Sequence, residues 1–222
     1  ERGFAASFAK PPLAGAELDR WQQRYRKGRQ LLEERNARQA LRELDAAVDL
    51  YAANAAVEFY RGRCLEALGK DEAARKAYVH ARDLDLRPWR AHSALNEIIR
   101  TVAVEQGLML ADIEVLFSNA SPPAGIGWEL MADHLHPTAE GQMLLAQGIV
   151  EGLEQGADAL RPELLALLSA DEYRRQQGDI ALERLAVLHD MGILLSEEPM
   201  SQGNEEQALA LSGRADSLWK TL

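Results

Sequence analysis

The chain has 222 residues, 47% hydrophobic and 6% aromatic, a profile rich in alanine and leucine that favours helix and leaves room for one large or two small domains. Its 35 acidic and 25 basic residues give a formal charge of −10, which argues against general binding to a nucleic-acid backbone and selects no other partner. No apolar run reaches the roughly 18 residues of a membrane-spanning helix, no signal peptide is visible, and the single Cys64 forbids an internal disulfide. The first residue is Glu1 rather than Met, as expected of a processed chain or an excised piece, so a signal or anchor upstream and the compartment stay open. Cys64 falls in a helical setting, where a buried, inert thiol is the expectation.

The first half repeats. Gly28 and Gly62 stand 34 residues apart, and Tyr25/Phe59, Leu31/Leu65, Ala40/Ala74, Leu44/Tyr78 and Ala47/Ala81 keep the same offset. The small residues let two antiparallel helices approach closely, and the large ones fill the gaps between them. Helices are expected at about 18–34, 37–51, 55–68 and 71–85. Gly69 then sits in the turn of the second hairpin, while Arg35 in the first departs from that pattern. The 34-residue period resembles tetratricopeptide repeats. Such a resemblance implies a short curved solenoid able to bind a peptide or protein partner.

Pro88 stops the second repeat. Residues 89–106 place Ala91, Leu95, Ile98, Ile99, Val102 and Ala103 at helical spacing, and Gly107 ends that helix. Leu108-Met-Leu-Ala-Asp-Ile113 is a short apolar run, read as a buried strand, although periodicity alone leaves helix open. A strand without a partner would leave its backbone groups unpaired. A short helix, a loop rich in Ser, Pro and Gly at 118–127, the segment Asp133–His136 and a helix at about 138–154 follow.

The last third is helical. Arg161-Pro-Glu-Leu-Leu-Ala-Leu-Leu168 reads as a short helix with proline in its first turn, and Ser169-Ala-Asp-Glu172 as a capping box opening a helix at about 170–190. Gly203, Ala208, Ala215 and Leu218 copy the spacing of Gly69, Ala74, Ala81 and Leu84. Gly192 and Leu195 copy Gly62 and Leu65 if the turn between is four residues longer. A degenerate third repeat and an ordinary helical hairpin both fit.

The chemistry concentrates in Gly125-Ile-Gly-Trp-Glu-Leu-Met-Ala-Asp-His-Leu-His-Pro-Thr-Ala-Glu-Gly141. Asp133 and His136, three apart on a tight loop, are placed to hydrogen-bond, and Pro137 holds His136 out of helical geometry. Thr138 is positioned to cap the next helix. An Asp-x-x-His followed by Pro resembles the last sequence block of the SGNH (GDSL-type) hydrolases. That resemblance implies that His136 is the general base and Asp133 its orienting carboxylate in the hydrolysis of an acyl ester, with a strand ending near Asp112 as the last of a parallel sheet. The family's blocks with the serine and with the glycine and asparagine oxyanion donors have no match here, so this chain alone is expected to be inactive. If the repeats are an insertion, those blocks are expected before Glu1. The combination resembles bacterial proteins in which tetratricopeptide repeats are inserted in, or fused to, an SGNH hydrolase.

The rival readings are plain. Asp133 and Thr138 as mere loop caps is one. A cation shared by His134 and His136, with Asp112 or His92 arriving from elsewhere, is another; no metal or cofactor is assigned. His80, His92 and His189 read as surface or packing residues. Trp21 and Trp219 read as core or groove packing, and Trp128 as a loop anchor beside the site. The expected fold class is mainly α: tetratricopeptide-like hairpins (18–86), a C-terminal fragment of an α/β SGNH-type hydrolase domain (87–156) and a helical C-terminal region (157–222). The partners implied are a peptide or protein at the repeats and an acyl ester in a complete enzyme, with no nucleic acid. The competing class of function is a non-enzymatic helical-repeat module.

Overall fold

The computed structural model describes residues 11–86, 90–133, 135–156, 172, 175–176, 181–197 and 204–221. Among them the chain is mainly helical, with nine helices and no strand. Contacts divide it into two compact units, Glu1–His92 with Pro123–Gly125, and Ser93–Pro122 with Ile126–Leu222.

The first unit holds α1 (Gly15–Glu33), α2 (Ala37–Leu50), α3 (Ala55–Ala67) and α4 (Asp71–Asp83). They form two hairpins, α1 against α2 and α3 against α4, joined through α2 on α3. The expected boundaries agree to within a few residues. Every repeated small residue is buried, with Ala40, Ala47 and Ala74 sealed completely. A Cβ on Gly28 would lie 2.6 Å from Leu44 Cγ, and one on Gly62 would lie 2.6 Å from the Tyr78 ring, so glycine sets the interhelical approach in both hairpins. Asn36 and Asn54 start α2 and α3 by accepting from the N–H groups of Gln39 and Val57.

The two hairpin turns are alike in backbone, contrary to the departure expected at Arg35. Arg35 has φ +58° and Gly69 has φ +69°. In the first turn Asn36 N donates to Leu31 O and Arg35 N to Leu32 O; in the second, Lys70 N donates to Leu65 O and Gly69 N to Glu66 O. Both are the same glycine-type helix terminus, one of them built on arginine.

In the second unit α5 (Ser93–Gln106) ends at Gly107, and α6 (Ile113–Ala120) packs on α7 (Ala139–Gly156). Glycines again mediate the contact: Gly148 faces Leu116 and Ile113, and Gly152 faces Ala111. The strand expected at 108–113 is not formed. Residues 108–112 are neither helix nor strand, and Ile113 already belongs to α6. The run is not buried either, Leu108 and Met109 being exposed; the physical reason is that a strand needs a neighbour for its backbone, and none of the described residues supplies one. The α/β arrangement that such a strand would carry is therefore not seen. The apolar stripe of α5 also differs from a core face: Leu95, Ile98, Ile99 and Val102 are exposed, and Ala103 is the one buried residue of the helix.

The same unit contains α8 (Ala181–Ser196) packed against α9 (Glu205–Trp219). Leu195, Ala208, Leu211 and Ala215 are buried in this hairpin, and Gly192 approaches Ser212, 3.0 Å from a would-be Cβ to the hydroxyl. In the first two hairpins the glycine meets a residue 16 positions later; here the offset is 20, four longer, as the longer turn requires. Gly203, the expected helix at 161–168 and most of 170–180 lie outside the described residues. Trp219, expected to pack, is exposed instead, because it closes α9 beyond its last buried turn.

Candidate functional site

The segment between α6 and α7 folds back on itself over a few residues. Met131 and Pro137 form an isolated antiparallel bridge. Ala132 N donates to His136 O at 2.8 Å, and Thr138 N donates to Leu130 O at 2.9 Å. Pro137 lacks an N–H, so it fits where the chain leaves the bridge without a donor to satisfy. Thr138 then caps α7, its hydroxyl accepting from Gly141 N at 3.1 Å and donating to Glu129 O at 3.1 Å. Gly141 touches the base of this loop so closely that any Cβ would clash with the Leu130 carbonyl oxygen. The loop's other end is anchored by Trp128, which packs against Leu195, Ala208 and Leu211.

Asp133 is the organising residue. Its carboxylate is buried, and Oδ1 accepts from both Leu135 N and His136 N at 2.6 Å. Oδ2 lies 2.7 Å from His136 Nδ1. Burial pushes the Asp133 carboxyl up, but the His136 backbone N–H, the His136 ring and the Leu135 N–H together hold it below the ordinary carboxylate range. The ionised form is therefore the one the loop is built around. The His136 ring is 72% exposed at its side chain. With Nδ1–H donated to the carboxylate, the neutral ring presents its Nε2 lone pair outward, the tautomer a general base requires.

The two residues singled out for catalysis are thus brought together. The rival cation site is not assembled from the described residues. Asp112 accepts from Arg100 at 2.7 Å and from Val115 N at 3.1 Å, and the Arg100 hydrogen bond, set against burial, leaves its carboxyl lowered. His92 belongs to the other unit and has a buried ring nitrogen. His134 lies outside the described residues. No group of three His, Cys, Asp or Glu side chains converges among the described residues. His80 stands 3.7 Å from the buried Glu58, and His189 is exposed beside Asp190.

Two parts of the site carry signals that residue typing alone overlooks. Gly141 sits in the first turn of α7, where glycine weakens a helix, and such a position flags close backbone approach. Arg100 had no visible role in the sequence; it ties α5 to the start of α6 through Asp112 and Glu114, both at 2.7 Å. Comparison with protein-family models, curated proteins and solved structures finds no match to this chain.

Proposed function

We propose that Asp133 and His136 are the carboxylate–imidazole half of an SGNH-type ester hydrolase, acting on an acyl ester together with a serine nucleophile supplied by another segment of polypeptide. The observation that carries this reading is the 2.7 Å contact from a buried, ionised carboxylate to Nδ1 of an exposed imidazole. In the reaction His136 Nε2 takes the serine proton during attack on the ester carbonyl and returns it to the leaving alcohol, while Asp133 stabilises the imidazolium. Among the described residues no serine hydrogen-bonds to His136, and the family's oxyanion-donor blocks have no match in the sequence. The chain alone then lacks the nucleophile and the site for developing negative charge.

The experiment compares hydrolysis of p-nitrophenyl acetate and labelling by a fluorophosphonate for three proteins: this chain, a longer polypeptide carrying a Gly-Asp-Ser block, and the longer form with His136→Ala. The expected pattern is background turnover in the first, turnover with labelling in the second, and loss of both in the third. Turnover by the short chain that survives loss of His136 overturns the reading.

A second reading applies to the first unit. Its two glycine-spaced hairpins support tetratricopeptide-type repeats that hold a peptide or protein partner. It coexists with the first, since it uses other residues.

A further inference from the structure

Three residues from the loop after α6, Pro123–Gly125, belong by their contacts to the first unit. Arg75, on α4, donates from both Nε and Nη2 to the one carbonyl oxygen of Pro123, at 3.1 and 3.0 Å, across 48 positions of sequence. Ala124, next in the chain, is 3% exposed and joins the core that contains Phe59, Ala74 and Tyr78. Pro123 and Ala124 form a turn, and Gly125 leaves it buried and at φ +123°, a conformation that any side chain would strain. The composition suits a segment docked by few contacts. Pro122 and Pro123 fix their own φ and bring no N–H to desolvate. Alanine loses no side-chain freedom on burial. None of the four residues is charged, and the guanidinium meets the Pro123 carbonyl.

One buried methyl and one forked hydrogen bond make a small contact. Tethering keeps it occupied, because a segment of the same chain is present at an effective concentration on the order of mM. A turn of weak intrinsic affinity therefore fills the surface, and a free peptide of the same chemistry competes for it. We propose that the Pro122–Gly125 turn is a built-in ligand of the first unit. It covers a surface on α4 that, once the turn is released, takes a partner peptide carrying proline followed by alanine or glycine, with the proline carbonyl on Arg75 and the small side chain in the place of Ala124. This rests on the reading of the first unit as a module that holds a peptide, and adds what that peptide presents and what covers its site.

The test is an NMR titration of the full chain with the free peptide Ser-Asn-Ala-Ser-Pro-Pro-Ala-Gly-Ile-Gly, the sequence of residues 118–127. Two variants release the turn by different means and leave the receiving surface intact: Ala124→Glu, and Pro122→Gly with Pro123→Gly. Both released chains are expected to bind the peptide about tenfold or more tighter than the parent, with shifts at the Arg75 Nε–H and along α4 and an unchanged far-UV spectrum. Adding Arg75→Ala to Ala124→Glu is expected to remove that gain, and a peptide with glutamate in place of its second alanine is expected not to bind. Binding to neither released chain, or binding that survives Arg75→Ala, overturns the proposal. Equal affinity in parent and released chains, with shifts away from α4, also overturns it but keeps the wider reading of a peptide-holding unit.

Discussion

Asp133 binds its own loop with three hydrogen bonds, and the consequence is a pH dependence of known sign. Its folded pKa lies below the ordinary value, so its stabilisation is complete above about pH 4 and is lost as pH falls through the lower folded value. Asp133→Asn should destabilise the loop's unit at pH 7, and the difference from the parent should shrink as pH drops toward 3. Denaturation midpoints across that range check this, and a constant difference would show that the carboxylate's charge is not what matters. The His136 Nδ1 proton, expected at low field in the parent from its 2.7 Å contact with the carboxylate, should move upfield or be lost in the proton NMR spectrum of the same variant. Glycines supply a second contrast at this scale. Gly141→Ala drives a methyl into the Leu130 carbonyl and should cost about 1–3 kcal/mol. Gly213 lies inside α9 with nothing within 4 Å of a would-be Cβ, so Gly213→Ala should stabilise by about 0.5–1 kcal/mol. Cys64 is sealed in the first unit, and burial pushes its thiol up to about 12.

At the level of elements, the hairpin turns show what a period can and cannot reveal. Arg35 and Gly69 adopt the same left-handed conformation, which costs a side-chain-bearing residue about 1–2 kcal/mol. Arg35→Gly should therefore stabilise the first unit by up to about 1 kcal/mol, the strain relief being partly offset by chain entropy. Gly69→Ala should destabilise it by about 1 kcal/mol; thermal melts of the two variants should move in opposite directions. The four repeat helices were legible because six pairs of positions recur at one spacing and each pair has a packing reason, such as Gly62 beneath the Tyr78 ring. The turn at Arg35 was not, because arginine gives no sign of a positive φ. The run 108–113 misled for a different cause: an apolar run suggests a buried strand, yet Leu108 and Met109 are exposed, and strand formation depends on a partner that residue order does not name. In the site, Asp133, His136 and Thr138 were legible from spacing and proline. Arg100 was not, since its partners Asp112 and Glu114 lie beyond the turn that ends α5.

For the molecule as a whole, the two units are unequal in what holds them. The first has one contiguous core from Trp21 and Leu31 through Leu44, Phe59, Cys64 and Tyr78 to Ala81, cross-tied at its surface by Arg61 bridging Asp45 and the buried Glu58. Among the described residues the second has a small cluster at Leu195, Ala208 and Leu211, and its α5 leaves an apolar stripe exposed. Two units with separate cores and unequal burial do not melt as one. Calorimetry should resolve two transitions, the lower belonging to the second unit, with the slowest-exchanging amides in α2, α3 and α4. Ala74→Leu gives the decisive variant. Ala74 is a completely buried residue of α4, and the three heavy atoms that leucine adds exceed the space there, so overpacking should cost about 1–3 kcal/mol. It should lower the upper transition and leave the lower one in place, whereas Gly141→Ala should do the reverse. A single transition moved equally by both variants would mean that the two units fold as one cooperative body.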